Sequence, residues 1–257
     1  MVRLYGYTYD KVRATLNYPN LWCDFQKTVL KIVNKILEKT DYITEILTII
    51  KEEAYKAIQE TQECDDCNGD KECKCNEKVN EVVREKIKNG KIIGDYPNVN
   101  LTDLINNISK DKNIVNVSSK KKVKIKETTL QNIIECLTDF KSASKKNKKN
   151  KKGFFGYECE SGDLSYKNAT TIELKYIRQG DKPYEIRNAL GQTLENAIVS
   201  DLKNAVLLIW DEAYSEENWD EKSEKFISMF INNPFGINFA VIRIRVYENH
   251  CTADIYL

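Results

Sequence analysis

Three charged residues within a β-forming segment have the types and spacing of a divalent-metal site. The segment is SGDLSYKNATTIELKYIRQG, residues 161–180, and its three residues of interest are Asp163, Glu173 and Lys175. If residues 167–169 form a three-residue hairpin loop, counting outwards from the loop places Asp163 directly opposite Glu173. The β-carbons of directly opposite residues are about 4.5–5.5 Å apart. Two carboxylates at that separation repel each other unless a cation lies between them.

The alternation of side chains along a strand adds a lysine to the same group. Glu173 and Lys175 point to one face of the strand, and Leu174 points to the other. A hard cation such as Mg²⁺ or Mn²⁺ takes oxygen ligands from one or two carboxylates, keeps several waters and can acidify one of them. A lysine beside it can orient that water or offset charge on a phosphate. The three residues therefore predict hydrolysis of phosphodiester bonds.

A helix predicted after this hairpin brings further polar groups. Its apolar residues lie on one face, and the opposite stripe, with a spacing of four residues, consists of Tyr184, Asn188, Gln192 and Asn196. A helix packed beside the sheet could direct Gln192, and also Asn188, towards the metal site or the scissile phosphate. The alternative is that the stripe contacts water, which we expect more for Asn188 and Asn196 than for Gln192.

These residues, in this order along the chain, resemble the PD-(D/E)XK nuclease superfamily. Asp163 matches its first metal-binding aspartate, Glu173, Leu174 and Lys175 match its E-x-K motif, and LGQTLENA resembles the Q-x-x-x-Y helix of its RecB-like members. The resemblance covers roughly residues 128–246. It implies a restriction-endonuclease-like mixed sheet flanked by helices. It also implies that the two acids bind Mg²⁺, that Lys175 assists the attacking water and that Gln192 has a catalytic positioning role.

The sequence departs from the family pattern at three points. Gly162 stands where many members have proline, and Asn196 replaces the usual tyrosine of the helix motif. A further acidic metal ligand, often placed on the preceding helix, has two candidates. Glu135 fits that helical position better, and Glu160 could take the role from a strand.

Composition limits the classes of function. The chain has 257 residues, 41% hydrophobic and 31% charged, enough for one large domain or two small ones. The 40 Lys and Arg nearly balance the 39 Asp and Glu, so a uniformly basic nucleic-acid binder is not indicated. The chain has a single histidine, His250, so a mechanism that uses histidine as the general base is not favoured. No export signal or membrane-spanning apolar run is evident, so we expect a soluble cytoplasmic protein without a membrane partner.

Four of the eight cysteines form a compact cluster. They lie in CDDCNGDKECKC, with C-x2-C-x5-C-x-C spacing, and are Cys64, Cys67, Cys73 and Cys75. In an intracellular protein this pattern favours a structural Zn²⁺ site at the tip of a helical hairpin, because thiolates are good zinc ligands. Two local disulfides, free thiols or an iron–sulfur cluster are the alternatives.

Hydrophobic periodicity divides the chain into two regions. Apolar residues at helical spacing predict helices at about residues 21–38, 42–62 and 77–88, which with the cysteine cluster form a mostly α-helical region over residues 1–97. Residues 98–257 contain a short helix at 101–110, a strand near 123–126 and a helix opened by a capping box at Thr128 and Gln131. An α/β series follows, ending with the strand NFAVIRIRV, on which Arg243 and Arg245 share one face.

A segment rich in lysine separates the helices from the metal-site hairpin. Residues 141–152, KSASKKNKKNKK, cannot bury apolar area and predict a mobile loop. The segment is either a solubilising linker or an arm that contacts phosphates.

The sequence supports three functional hypotheses. The first is a Mg²⁺- or Mn²⁺-dependent deoxyribonuclease with DNA as its partner, and a homodimer if it cuts both strands as many such nucleases do. The second is a non-catalytic protein that binds nucleic acid or another partner on a nuclease-like fold. The third is an unrelated α/β interaction protein whose charged hairpin is solvated.

Overall fold

A computed structural model describes residues 2–5, 19–60, 74–89, 101–110, 114–117, 123–142, 163–178, 184–212, 221–247 and 250–257. The chain forms two compact units, one from Met1–Glu38 with Phe140–Leu257 and the other from Lys39–Asp139. We call them the sheet unit and the helical unit. The sequence indicates a division near residue 97, whereas residues 98–139 belong to the helical unit.

The helices and strands of each unit are numbered in chain order. In the sheet unit they are β1 (Val2–Tyr5), α1 (Pro19–Leu37), β4 (Lys141–Ser142), β5 (Leu164–Tyr166), β6 (Thr170–Ile177), α6 (Tyr184–Val199), β7 (Asn204–Asp211), α7 (Glu221–Ile231), β8 (Asn238–Val246) and β9 (Cys251–Tyr256). In the helical unit they are α2 (Thr40–Glu60), α3 (Lys74–Lys88), α4 (Leu101–Lys110), β2 (Val115–Val117), β3 (Val123–Ile125) and α5 (Glu127–Leu137).

The sheet unit contains one mixed sheet in the order β1-β9-β8-β7-β6-β5-β4. Five strands, β5 to β9, form its body, and the short strands β1 and β4 lie at its edges. Strands β6, β7 and β8 are parallel neighbours, and β5 and β9 flank them antiparallel. Parallel neighbours require crossover connections, which α6 and α7 provide. The prediction of an α/β protein with a mixed sheet and helices, preceded by a helical region, is therefore confirmed.

Apolar sequence accounts for the buried centre of this sheet. Seven of the eight residues of β7 are buried, because a strand inside a parallel sheet is covered on both faces. Trp210 on β7 is fully buried, and α1 contributes Phe25 and Ile32 to the apolar core. Sequence reasoning missed the two strands at one side of the sheet. Strand β1 has four residues and β9 six, so each offers little periodicity.

The hairpin that the sequence predicts is present with the predicted loop. Strands β5 and β6 pair antiparallel, with Leu164 opposite Ile172 and Tyr166 opposite Thr170, around a loop at residues 167–169. Lys167 and Asn168 have positive φ angles of 53° and 55°. Asn tolerates this left-handed conformation better than most residues, which suits its place in a tight turn.

The helical unit packs α2 to α5 with a small hairpin of β2 and β3. The side chain of Asn80 on α3 joins the hairpin to a helix, because its Oδ1 accepts a hydrogen bond of 2.7 Å from the Val115 amide. Helix α5 begins at Glu127, and its N-cap residue Lys126 makes no side-chain capping bond. The predicted capping box at Thr128 is therefore wrong, because the helix starts two residues earlier than an N-cap at Thr128 would place it. No helix among the described residues has the length and apolarity needed to cross a bilayer.

Four charged side chains, three of them buried and Arg245 partly exposed, lie on one face of the sheet. Arg243 Nε donates to Asp211 Oδ2 at 2.7 Å, and Arg245 Nη2 donates to Asp254 Oδ1 at 3.1 Å. Arg245 Nε also lies 2.9 Å from Asp254 Oδ2, although its N–H is not aligned for a hydrogen bond. Asp211, Arg243 and Asp254 are each less than 5% exposed. We call these four residues the buried charge quartet, and opposite charges on adjacent strands make it neutral.

Asp211→Ala should lower the free energy of unfolding of the sheet unit by about 3–5 kcal/mol, because it leaves the Arg243 charge buried and uncompensated. The double variant Asp211→Leu/Arg243→Met should lose much less, since no lone charge remains. Urea unfolding followed by tryptophan fluorescence measures this, because all three tryptophans lie in the sheet unit.

The exposed pair of Lys27 and Asp24 on α1 is the matched control for this experiment. Their charged atoms are 3.6 Å apart, but both side chains are about 70% exposed. Water and ions screen such pairs, so Asp24→Ala should barely change stability. Equal losses for Asp211→Ala and Asp24→Ala would contradict the burial argument.

Candidate functional site

The hairpin brings the two predicted acidic ligands together. Its register ends with Leu164 opposite Ile172, and Asp163 and Glu173 are the next residue on each strand. The Asp163 amide donates to the Ile172 carbonyl at 3.2 Å, one residue out of this register, so Asp163 lies beside the end of the pairing and not in a regular pair with Glu173. Both acids are half-buried. The structure therefore has two carboxylates on neighbouring β-segments, as a shared cation requires.

The Asp163 carboxylate is held by the backbone of the opposite strand. Its Oδ2 accepts a hydrogen bond of 2.8 Å from the Leu174 amide. This bond takes the place of a backbone ladder bond just beyond the paired part of β5. The bond gives the β6 amide of Leu174 a hydrogen-bond partner. It also fixes the orientation of the carboxylate, because one of its oxygens is held. Sequence reasoning offered no signal for it, since an aspartate beside a turn has many local partners.

The Glu173 carboxylate is held from the helix that follows. Asn196 on α6 donates through Nδ2 to Glu173 Oε2 at 2.9 Å. Asn196 is only 6% exposed, so the alternative in which this stripe contacts water does not hold for it. Asn188, two turns earlier, is exposed as that alternative expects. In the sequence, this position could be recognised only from the four-residue spacing between Gln192 and Asn196, which places both side chains on one face of the helix.

Gln192 lies one helical turn before Asn196 on the same stripe and is half-buried. Helix α6 runs back along β6 because it connects two parallel strands. One turn of helix rises about 5.4 Å, and two residues of a strand advance about 6.6 Å. Gln192 therefore lies near the level of Lys175, as Asn196 lies at the level of Glu173. Its contact with a metal or a phosphate stays a prediction.

Lys175 is on the predicted face of β6. Glu173 and Lys175 are both half-buried, whereas Leu174 between them is fully buried. Across the sheet, Lys175 is in register with Ile209 on β7, which is in register with Arg243 on β8. Residues in register share a face, so the buried charge quartet lies on the same face as the candidate site.

The donor set at the hairpin fits a hydrated hard cation. Two carboxylates and several waters suffice for Mg²⁺, which is rarely enclosed by protein ligands alone. Each carboxylate has about four lone-pair positions, so the hydrogen bond from Leu174 or from Asn196 does not by itself exhaust its capacity. Within the described residues, no group of three or more His, Cys, Asp or Glu could hold a metal ion. The fit therefore rests on the two acids together with waters. The described residues do not support a site in which protein ligands alone enclose the cation.

The candidates for a third acid are not brought to the hairpin by any described contact. Glu160 lies outside the described residues. Glu135 is half-buried on α5, in the helical unit, where it neighbours Cys136. The assignment of either residue as a metal ligand stays a prediction.

The cysteine cluster is described at one position only. Cys64, Cys67 and Cys73 lie outside the described residues, as do residues 143–152 of the segment rich in lysine. Cys75 is buried at the start of α3 and is disulfide-bonded. A disulfide sulfur is not a thiolate, so Cys75 in this state is not a zinc ligand, and the two local disulfides stay a prediction. Zinc binding requires the reduced chain and stays a prediction.

Burial, followed by the charges of Glu135 and Asp103, raises the pKa of the Cys136 thiol to about 11, against the lowering effect of a hydrogen bond from Asn107. The thiolate is the reactive form, so at pH 8 its population is about 100-fold below that of an ordinary thiol of pKa 9.0. We expect iodoacetamide to alkylate exposed Cys23 well before Cys136, as peptide mass spectrometry of timed samples would show. Equal rates at the two cysteines would contradict this environment.

Substitutions of Asp163 separate its hydrogen bond from its charge. Asp163→Asn keeps an oxygen that accepts from Leu174, so it should leave the stability of the sheet unit nearly unchanged. Asp163→Ala removes the acceptor and should cost about 1–3 kcal/mol, because a partly buried amide loses its partner. Urea unfolding followed by tryptophan fluorescence tests this. An Asn variant as unstable as the Ala variant would count against the bond.

Comparison of the chain with protein-family models, with curated proteins and with solved structures gave no match.

Proposed function

We propose that this protein is a metal-dependent nuclease that hydrolyses phosphodiester bonds in DNA. The observation that supports it most directly is that Asp163 and Glu173 flank the last pair of the hairpin, Leu164 with Ile172, with Lys175 on the same face as Glu173. Like charges close together on neighbouring strands are destabilising, so a cation between them offsets a cost that the sequence otherwise incurs. The proposal includes a restriction-endonuclease-like fold for the sheet unit, which its mixed sheet and crossover helices support.

The side chains have distinct roles in this proposal. Asp163 and Glu173 would hold Mg²⁺ or Mn²⁺, which supplies an acidified water and neutralises phosphate charge. Lys175 would hydrogen-bond the attacking water or the phosphate oxygen on which charge develops. Gln192, one turn along α6 and near the level of Lys175, would orient the scissile phosphate. No histidine is needed.

The charge distribution bears on how DNA would bind. The buried charge quartet is internally neutral, so Arg243 and Arg245 are committed to aspartates and do not form a phosphate-binding surface. Positive charge for DNA must come from Lys175 and from other lysines, which are densest in the sequence at residues 141–152. A homodimer would provide the second site needed to cut both strands.

The purified protein should nick plasmid DNA when Mg²⁺ or Mn²⁺ is added. Glu173→Gln keeps the size of the side chain and an oxygen for Asn196, but it removes the charge, so the rate should fall at least about 100-fold. Lys175→Met removes the ammonium and should cause a similar loss. Supercoiled DNA relaxation on agarose gels measures the rates, and circular dichroism checks that both variants fold.

Asp24→Asn and Lys27→Met are the matched controls, because they change the same charges on the exposed face of α1. Both should cleave at the rate of the unaltered protein. Cleavage that persists in Glu173→Gln and Lys175→Met would reject the assignment. DNA binding without cleavage under any metal would favour the non-catalytic nucleic-acid-binding alternative.

A further inference from the structure

We propose that Asn196 is a positioning residue that holds the Glu173 carboxylate in its metal-binding orientation. This inference rests on the proposed function, because it concerns the same metal site. The residue that the resemblance leads one to expect at this position is tyrosine, so the role of Asn196 follows from its contact in this structure and not from the motif.

The contact is specific and shielded from water. The Asn196 amide nitrogen lies 2.9 Å from Glu173 Oε2, within the usual range for a hydrogen bond to a charged acceptor. Asn196 is 6% exposed, whereas Asn188 on the same stripe is exposed. Burying an amide without a partner is unfavourable, and an apolar residue would pack at this position without that cost. The buried amide is therefore best explained by what it contacts.

A glutamate on a strand needs such a partner to bind metal tightly. Its side chain has three rotatable bonds, and a half-buried carboxylate can take several orientations unless it is held. The hydrogen bond from α6 fixes Oε2, so the ordering cost is met during folding and not when the metal binds. The Asp163 carboxylate is also held by a hydrogen bond, because its Oδ2 accepts from the Leu174 amide.

The two hydrogen bonds leave each carboxylate able to bind a cation. A carboxylate accepts at two oxygens with about four lone-pair positions, so one N–H donor on each still permits a metal contact. In metal sites, ligands are commonly oriented by hydrogen bonds of this kind, and their loss lowers metal affinity by about 10–100-fold. Asn196 has this relation to Glu173. It acts through the ligand, so its removal should weaken metal binding more than it slows turnover at saturating metal.

Mn²⁺ binding to the DNA-free protein, measured by isothermal titration calorimetry, tests the proposal without depending on activity. Asn196→Leu removes the donor at similar size and should weaken Mn²⁺ binding about 10–100-fold. Asn196→Gln keeps an amide donor on a longer side chain and should recover part of the affinity. Asn188→Leu, on the exposed part of the stripe, is the matched control and should bind Mn²⁺ like the unaltered protein.

Cleavage rates at increasing Mn²⁺ give the second readout. For Asn196→Leu, the Mn²⁺ concentration at half-maximal rate should rise by the same factor as the dissociation constant, while the maximal rate stays within a few-fold of the unaltered protein. Melting curves of the metal-free variants check the fold. If Asn196→Leu melts early, Asn196→Ala removes the amide without added bulk and is measured in its place.

The outcomes separate this inference from the function on which it rests. An unaltered protein that binds no Mn²⁺ would reject the proposed metal site. An unaltered protein that binds Mn²⁺, together with Asn196 variants that bind it equally well, would overturn the role of Asn196 alone. A maximal rate that falls steeply in Asn196→Leu and is not restored by Mn²⁺ would also overturn it, because a positioning residue acts through metal binding.

Discussion

The antiparallel pairing of β5 with β6 is the constraint on which the candidate site depends. A three-residue loop sets the register, and the register brings Asp163 and Glu173, two like charges, to neighbouring positions at the end of the pairing. Two N–H donors offset part of this repulsion, one from the Leu174 backbone and one from the Asn196 side chain. The acids are thus oriented by the fold before any cation is present. A hairpin with a slipped register would separate them and turn Glu173 to the other face.

Charged residues on this face of the sheet occur in two different environments. On β7, β8 and β9, buried arginines and aspartates neutralise each other in pairs, which satisfies charges that burial would otherwise make costly. On the hairpin, two half-buried acids lie beside one half-buried lysine, Lys175. The contrast is physical, because complete burial demands internal pairing and partial burial permits an ion from solution. It supports our proposal that a cation binds at the β5–β6 side of the sheet.

Much of the fold followed from local sequence patterns, and the failures have identifiable causes. The hairpin, α6 and β7 were predictable because each has a clear period or a long apolar run, and helix α5 was predicted with both of its ends misplaced by a few residues. Strands β1 and β9 were missed because they are short and pair with distant segments. The grouping of residues 98–139 with the earlier helices was also missed, since it depends on packing between segments that are far apart in sequence. The burial of Asn196 was underestimated for the same reason.

The sequence by itself determined the register of the hairpin and the face on which Glu173 and Lys175 lie. Both follow from loop length and from the two-residue period of a strand, which are local properties of the chain. Only the tertiary structure decided that Asn196 meets Glu173, that Asp163 accepts from the Leu174 amide and that Arg243 pairs with Asp211. These contacts join segments that are between 11 and 32 residues apart. Their formation depends on how crossover helices and strands pack, and that packing is a property of the whole sheet.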